Sequence, residues 1–322
     1  MRMLGALLLL WLGICGFTAP ALAAGFDCDK IRLIVPYGVG GATDIATRAV
    51  ANQLQGELKK TLVIEDRPGA TGNIGTLDVV NAPPDGCTLL VNSPMIATFP
   101  VSFPHLSYDP FKDLVPVGGL GATPNVLVAP QSSPAHDLKD LIALGKSRLG
   151  GLSYATSGYG LSQHLVVEQL AQLTGAKFVL VPYKSAAVIA EDVIAGRIDF
   201  ASLLAGTTKA MIENKQLRAL VLMQDTRSSL LPDVPTSAEQ GYPGLLGAVH
   251  FVIFAPAATP KPTVGLLEAA LRKVIAEPDI GETLRRVGFE PTPVTSAQIT
   301  EEMAIVDKTF SPIIKSLDIH LE

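Results

Sequence analysis

The sequence is poor in the side-chain clusters that catalysis and metal binding require. Its five histidines are scattered without metal-ligand spacing: His105, His136, His164, His250 and His320. A Gly-x-Ser-x-Gly nucleophile elbow is absent, because Ala155 and Tyr159 flank Ser157 where glycines would be needed. The sequence suggests no nucleophile–base pair either. An enzyme is therefore a minority hypothesis, and we expect no cofactor and no metal.

Basic residues and long apolar runs are scarce as well. The chain has 25 Lys and Arg residues against 30 Asp and Glu residues, a net charge of −5, and the basic residues do not cluster on one face. This balance argues against nucleic acid as a partner. Beyond the N-terminal segment, no stretch is long and apolar enough to span a bilayer.

The N-terminal segment has the pattern of a secretory signal peptide. Arg2 supplies its positive charge, residues 3–17 are apolar, and the Ala-Leu-Ala run at 21–23 is a small-x-small cleavage signal. An isoleucine precedes Cys15 where lipidation signals need a small residue, which argues against a lipoprotein. We therefore expect residues 1–23 to be removed and the mature protein to be exported and soluble.

Two cysteines remain after this cleavage, in an oxidising compartment. Cys28 stands just before the first predicted strand, and Cys87 begins the apolar run predicted as the third strand. If these strands are parallel neighbours, both cysteines lie at the same edge of the sheet. We expect a Cys28–Cys87 disulfide, and two free buried thiols are the alternative.

Residues 31–44 combine a short apolar strand, a glycine-rich turn and the start of a helix. Three glycines let the backbone turn sharply and approach another molecule closely. Free N–H groups and the positive end of the helix dipole would converge there, which suits an anion. Both phosphate fingerprints fail, because no lysine follows the glycines and Thr43 stands where the dinucleotide motif needs its third glycine. A plain turn without a ligand is the alternative.

Strands and helices alternate along most of the chain, which indicates parallel sheet with helices on both faces. The periodicity lapses over residues 100–123 and again further on. We therefore predict an α/β fold of two lobes, the first made of residues 24–123 and 235–322 and the second of residues 124–234. Two connecting segments would allow the lobes to close over a cleft at the carboxyl ends of their strands.

A Ser/Gly turn at residues 156–162 is the counterpart, in the second lobe, of the first glycine turn. His164 lies in the first turn of the helix that follows, where it could donate to a carboxylate or merely order the loop. Asp44 has the equivalent place in the first lobe. Its expected role is to complement the helix dipole and accept N–H groups, because like charges repel an acidic ligand.

Tyr37 and Tyr183 also occupy matching places, each directly after a proline at the end of a predicted strand. Aromatic walls with a polar tip suit an organic acid held at its ends, and packing at the rim is the alternative. Lys184 could pair with a ligand carboxylate, although a solvated side chain is the commoner outcome.

Six motifs occur in the order typical of one known family. They are Pro36-Tyr-Gly-Val-Gly-Gly-Ala-Thr-Asp44, Arg67-Pro-Gly-Ala-Thr-Gly-Asn-Ile-Gly75, Asp85-Gly-Cys-Thr-Leu-Leu90, Ser157-Gly-Tyr-Gly-Leu-Ser-Gln-His-Leu165, Val181-Pro-Tyr-Lys184 and Leu231-Pro-Asp-Val-Pro-Thr236. Together they resemble the Bug (TctC-like) periplasmic solute receptors of tripartite tricarboxylate transporters, over essentially the whole mature chain.

The resemblance implies a type II periplasmic binding protein, with two α/β lobes, a ligand cleft between them and two connecting segments. It implies a monomer that holds a di- or tricarboxylate, an acidic amino acid or an aromatic acid, largely through main-chain groups. The partners implied are inner-membrane permease subunits; a ligand-sensing subunit for a signalling partner is the alternative. The implied ligand-binding residues are Tyr37, Gly40, Gly41, Ala42, Thr43, Asp44, Ser157, Gly158, Gly160, Ser162, His164, Tyr183 and Lys184.

Four residues depart from the family pattern: Asp66, Cys87, Ser185 and His250. Family members commonly have a glycine in place of Ser185 and a tryptophan in place of His250. Both departures fall near the cleft or the hinge, so the resemblance does not carry over any particular ligand.

Overall fold

The computed structural model describes residues 28–183 and 185–321. The predicted signal peptide, residues 1–23, and the candidate residue Lys184 lie outside the described residues. Among the residues that are described, no helix combines the length and the apolar character needed to cross a membrane.

Strands and helices alternate along most of this described chain, as the sequence predicts. The strands are β1 (Lys30–Val35), β2 (Thr61–Asp66), β3 (Thr88–Asn92), β4 (Leu114–Pro130), β5 (Leu152–Thr156), β6 (Phe178–Pro182), β7 (Phe200–Leu204), β8 (Leu217–Leu222) and β9 (Ala248–Pro256). The helices are α1 (Ala42–Leu58), α2 (Asn73–Val80), α3 (Phe99–Ser102), α4 (Pro110–Asp113), α5 (Leu138–Ser147), α6 (Ser162–Thr174), α7 (Ala186–Ile194), α8 (Ala205–Glu213), α9 (Lys261–Ile275), α10 (Pro278–Arg286) and α11 (Ser296–Ser316).

One sheet runs through both halves of the molecule in the order β2-β1-β3-β9-β4-β7-β5-β6, and β8 also pairs with β4. β1, β2 and β3 are parallel, and β9 runs antiparallel to β3 and β4. β5, β6 and β7 are parallel, and β4 runs antiparallel to β7 and β8. We call the part built on β1, β2, β3, β9 and β4 up to Pro124 the first lobe. The second lobe is built on β5 to β8 and β4 from Asn125 onward.

Helices cover both faces of the sheet in each lobe. In the first lobe, α1, α9 and α10 pack on one face, and α2, α3 and α11 on the other. In the second lobe, α5 and α6 cover one face, and α7 and the start of α8 the other. Strands that are buried on both faces form apolar runs in the sequence, which explains why most of them can be predicted.

β4 is the strand that the sequence predicts least well. The expectation of irregular chain over residues 100–123 is wrong from Leu114 onward, where β4 begins. A side chain at Gly119 would place its Cβ 2.6 Å from the carbonyl oxygen of Thr292. Glycine is therefore required where another segment passes over the strand, and the β-branched residues that usually mark a strand are missing.

Two segments connect the lobes. β4 crosses directly, because Pro124 pairs with β9 of the first lobe and Asn125 with β7 of the second. The return segment ends at Ala248, where β9 begins. Leu245 still packs in the core of the second lobe. The predicted lobe boundaries stay a prediction, and we propose that the return lies after Leu245 rather than near residue 235.

The predicted disulfide between Cys28 and Cys87 is confirmed. β1 and β3 are parallel neighbours with Arg32 opposite Thr88, so the residues that precede them lie at one edge of the sheet. The two cysteine Cα atoms are 6.2 Å apart. The bond ties the chain before β1 to the start of β3.

Replacing both cysteines, by Cys28→Ala together with Cys87→Ala, should lower the free energy of unfolding by about 4 kcal/mol. The unfolded chain regains the entropy of a long closed loop when the bond is lost. Urea denaturation with and without reductant measures the effect. Reductant should bring the wild type to the stability of the variant and leave the variant unchanged. Two reactive thiols in denatured, unreduced wild-type protein would contradict the bond.

Candidate ligand-binding site

A cleft of about 300 Å³ opens where strands of both lobes end. Tyr37 and Ser93 follow β1 and β3 in the first lobe, while Ser157 follows β5 and Leu204 ends β7 in the second. Open α/β sheets bind their ligands at this edge. The cleft is lined by Tyr37, Gly41, Ala42, Thr43, Ser93, Met95, Ser157, Gly158, Leu161, Ser162, Gln163, Leu204, Val249 and Phe251.

The first loop leads from β1 into α1 and is held by Asp44. Gly40 has a φ of +78°, a left-handed conformation that favours glycine. Its N–H donates to Oδ2 of Asp44 over 2.8 Å, and Oδ1 lies 2.6 Å from Nε of Arg48. The carboxylate thus has partners within the protein: one oxygen accepts a hydrogen bond and the other forms an ion pair. The N–H groups of Ala42, Thr43 and Asp44 have no acceptor among the described residues, as the first turn of a helix leaves them.

The second loop repeats this arrangement with a histidine in place of the aspartate. Gly160 has a φ of +72°, and its N–H donates to Nδ1 of His164 over 3.1 Å. In both loops a left-handed glycine donates to the side chain four residues further on. The N–H groups of Ser162 and Gln163 begin α6 and find no acceptor within the described chain. Two helix N-termini therefore present free donors to one cleft.

His164 is a neutral imidazole in this setting. A ring nitrogen that accepts a hydrogen bond carries no proton, so the proton lies on Nε2. Burial lowers the pKa of His164 to about 4. Its ring stacks on Tyr159 with the centroids 5.2 Å apart, and Nε2 lies 3.7 Å from Oε1 of Glu168. These contacts favour the loop-ordering role of His164 over direct contact with a ligand.

The wall of the cleft is uncharged, since none of the described residues that line it carries a formal charge. The hydroxyl of Tyr37 donates to Oδ1 of Asn92 over 3.0 Å, and burial raises the pKa of Tyr37. Oγ of Ser93 accepts the N–H of Met95 over 3.3 Å, which leaves the serine proton available. The apolar part of the wall consists of Met95, Leu161, Leu204, Val249 and Phe251.

The predicted ligand-binding residues divide into two groups in the structure. Seven of them line the cleft: Tyr37, Gly41, Ala42, Thr43, Ser157, Gly158 and Ser162. Behind them lie Gly40, Asp44, Gly160 and His164, which form the two supporting hydrogen bonds. Tyr183 is not among the described residues that line the cleft, and its hydroxyl donates to Oδ2 of Asp192 in α7. Contact of any of these residues with a ligand stays a prediction, as it does for Lys184.

Sequence reasoning missed several residues of the cleft wall. Ser93 and Leu204 stand at the ends of strands β3 and β7, and this position was the available signal. Val249 and Phe251 come from β9, which runs antiparallel to its neighbours. Nothing in the local sequence indicates that such a strand reaches the cleft, because its place depends on long-range pairing.

His164 should make the protein less stable as the pH falls from about 6.5 towards 4. The histidine of the unfolded chain takes up a proton near its ordinary pKa of about 6.5, whereas the folded one does so only near 4. In that window the unfolded state binds more protons, so the free energy of unfolding decreases with decreasing pH. The full loss is roughly 3 kcal/mol.

The matched variant is His164→Asn, which keeps an acceptor for the N–H of Gly160 but does not titrate. Urea denaturation of both proteins between pH 7.5 and pH 4 gives their two pH profiles. The wild type should lose stability relative to the variant across this range. Parallel profiles would show that His164 takes up its proton equally in the folded and the unfolded state.

Comparison with known proteins gives a consistent match. The model of the tripartite tricarboxylate transporter family receptor matches residues 46–319. Protein BugT of Bordetella pertussis is 32% identical over 302 residues, which cover 92% of each chain. A UPF0065 protein from the tcbD-tcbE intergenic region of Pseudomonas sp. (strain P51) is 34% identical over 266 residues, 82% of this chain and 79% of that one.

Solved structures agree with this match. Rpa4515 of R. palustris, solved with adipate, has a TM-score of 0.76 and 29% identity, covering 89% of this chain and 96% of its own. MatC from Rhodopseudomonas palustris, with bound malate, has a TM-score of 0.72 and 27% identity. The match covers 87% of this chain and 100% of the MatC chain. The predicted two-lobed α/β binding-protein fold is confirmed, and the matched family and structural neighbours are solute-binding receptors rather than enzymes. The chain belongs to the tripartite tricarboxylate transporter receptor family, the Bug or TctC-like periplasmic binding proteins.

Proposed function

We propose that the protein binds a small carboxylate in the cleft between its lobes and delivers it to the membrane permease of a tripartite tricarboxylate-type transporter. The observation that carries the proposal is the pair of helix N-termini, of α1 and α6, at one uncharged cleft. Free N–H groups and the positive ends of two helix dipoles favour a negative group there. The proposed donors are the N–H groups of Ala42 and Thr43 and those of Ser162 and Gln163.

Neutral donors suit a receptor that must release what it binds. A buried Lys or Arg that paired with the ligand carboxylate would stabilise the complex. Separating the two charges on release would then cost free energy, because a buried charge would be left unpaired. The described wall of this cleft offers N–H and O–H donors and no formal charge. Each such bond is moderate in strength, so the sum holds the acid while the opening of the lobes breaks the bonds made by one side.

The size and lining of the cleft support a short acid with an apolar part. Its volume of about 300 Å³ lies at the lower end of the range for small-molecule sites, roughly 300–1,000 Å³. Met95, Leu161 and Phe251 give it an apolar surface beside the polar loops. Adipate in Rpa4515 and malate in MatC are acids of this size class and serve as the first probes.

Adipate or malate, at 100 to 1,000 times its dissociation constant, should raise the free energy of unfolding by roughly 3–4 kcal/mol, because it binds only the folded protein. Calorimetric titration gives the dissociation constant, and urea denaturation gives the stabilisation. Each bound acid should be recovered unchanged. A panel of other di- and tricarboxylic, amino and aromatic acids extends the test. No binding across the whole panel would contradict the proposed function.

The substitution Gly41→Val should abolish binding of these acids while the protein stays folded. Gly41 forms part of the cleft wall directly before the free N–H groups of α1, and an added Cβ would lie 3.0 Å from the carbonyl oxygen of Gly38. Gly38→Val is the matched control, because nothing lies within 4 Å of an added Cβ there and Gly38 does not line the cleft. Calorimetry measures binding and circular dichroism checks the fold. Equal affinities for the two folded variants would refute the site.

A further inference from the structure

Ser162 joins the second lobe's free N–H groups to a hydroxyl in the same place. It is the first residue of α6 and lines the cleft. Its Oγ accepts a hydrogen bond from Nδ2 of Asn125 over 3.3 Å. Ser162 is 6% exposed and Asn125 is fully buried. A hydroxyl that accepts a bond from one side keeps its own proton for a partner on another side.

Asn125 is fixed by backbone bonds at the crossing between the lobes. Its N–H donates to the carbonyl oxygen of Gly247 over 2.7 Å, and its carbonyl accepts the N–H of Met223 over 2.9 Å. It is also the first residue of β4 that pairs with β7. The main chain of Asn125 therefore lies at one crossing between the lobes and is bonded to the segment that forms the other.

The other end of the same amide is left without a partner. Oδ1 of Asn125 is buried and finds no donor among the described residues. A buried carbonyl without a hydrogen bond lowers stability, and an apolar residue of similar size would avoid this cost. The amide therefore lowers stability at this position, while its Nδ2 serves the hydroxyl of Ser162.

In the first lobe, a buried asparagine accepts a hydrogen bond from a hydroxyl of the cleft wall instead of donating one to it. Oδ1 of Asn92 accepts the hydroxyl of Tyr37 over 3.0 Å and the N–H of Ser93 over 2.8 Å. The hydroxyl of Tyr37 already donates its proton in that bond, so towards a ligand its oxygen can only accept. The hydroxyl of Ser162 already accepts a bond, so its proton is available to a ligand. The two asparagines thus give two hydroxyls of the cleft wall opposite hydrogen-bonding polarity.

We propose that Asn125 is a positioning residue for ligand binding: it holds the hydroxyl of Ser162 as an acceptor, so that Ser162 donates its proton to a carboxylate of the ligand. This inference rests on the proposed function. The hydroxyl then adds a third donor to the N–H groups of Ser162 and Gln163 at the N-terminus of α6. Three donors at one helix N-terminus favour a negatively charged carboxylate over an amide or an amine.

A double-mutant cycle tests the coupling, with adipate and malate as probes and calorimetry as the measurement. Ser162→Ala should weaken binding roughly 10- to 100-fold, as expected for the loss of a hydrogen bond to a charged group. Asn125→Ala should cause a smaller, several-fold loss. The double variant should bind no more weakly than Ser162→Ala alone, because Asn125 acts only through the hydroxyl. Additive losses, which independent structural damage would give, or unchanged binding by Asn125→Ala would overturn the proposal.

A second variant, Asn125→Asp, keeps the shape of the side chain and so guards against misfolding of the alanine variant. At pH 8 its carboxylate can only accept a hydrogen bond, so the hydroxyl of Ser162 donates to it instead of to the ligand and binding should weaken. Towards pH 5.5 the buried carboxyl regains a proton and can donate, so binding should recover, whereas the wild type has no such recovery. A flat profile would overturn the proposal. The same recovery in the Asn125→Asp, Ser162→Ala double variant would overturn it as well, because the carboxylate would then act by charge repulsion and not through the hydroxyl.

Binding by the wild type distinguishes failure of the proposed function from failure of the role proposed for Asn125. If wild-type protein binds no acid of the panel, both the proposed function and the role of Asn125 are overturned. If the wild type binds and the cycle is additive, only the role of Asn125 is overturned. Urea denaturation of every variant verifies that the protein used in calorimetry is folded.

Discussion

The cleft depends on one kind of hydrogen bond, from the N–H of a left-handed glycine to a side chain in the first turn of the following helix. Gly40 makes this bond to Asp44, and Gly160 makes it to His164. The bond fixes the loop from within, so that the remaining N–H groups of the helix start stay unoccupied. The two acceptors reach electrical balance differently: Arg48 neutralises Asp44, while burial keeps His164 neutral. Neither support therefore places an uncompensated charge beside the ligand.

Much of this arrangement can be predicted from the sequence, because it is local. A strand, a turn and a helix start follow one another within a few residues around Tyr37 and again around Ser157. The disulfide follows from the order of the strands and the place of the two cysteines. The equivalence of Asp44 and His164 is visible as well, since both lie in a first helical turn. Family resemblance then joins the two loops into one hypothesis.

The rest depends on contacts between distant segments. Tyr37 and Tyr183 have matching sequence positions but different surroundings: Tyr37 lines the cleft, while the hydroxyl of Tyr183 donates to Asp192. A first-turn histidine allows either a ligand contact or a loop contact, and the contacts of His164 with Gly160 and Tyr159 favour the second. The first half of β4 escapes prediction because glycines stand where another segment passes over it. The polarity of the hydroxyls is set by Asn92 and Asn125, which no short motif identifies.

The way in which β4 joins the lobes has a consequence for their motion. The ring of Pro124 fixes its φ, so rotation between the lobes must use the few remaining dihedrals at this crossing. At the return segment, an added Cβ on Gly247 would lie 2.2 Å from the carbonyl oxygen of Met223, which shows how closely the chains pass there. A rotation between the lobes would have to be absorbed by backbone dihedrals at these two crossings. Any such rotation would move the N-terminus of α6, in the second lobe, relative to that of α1, in the first.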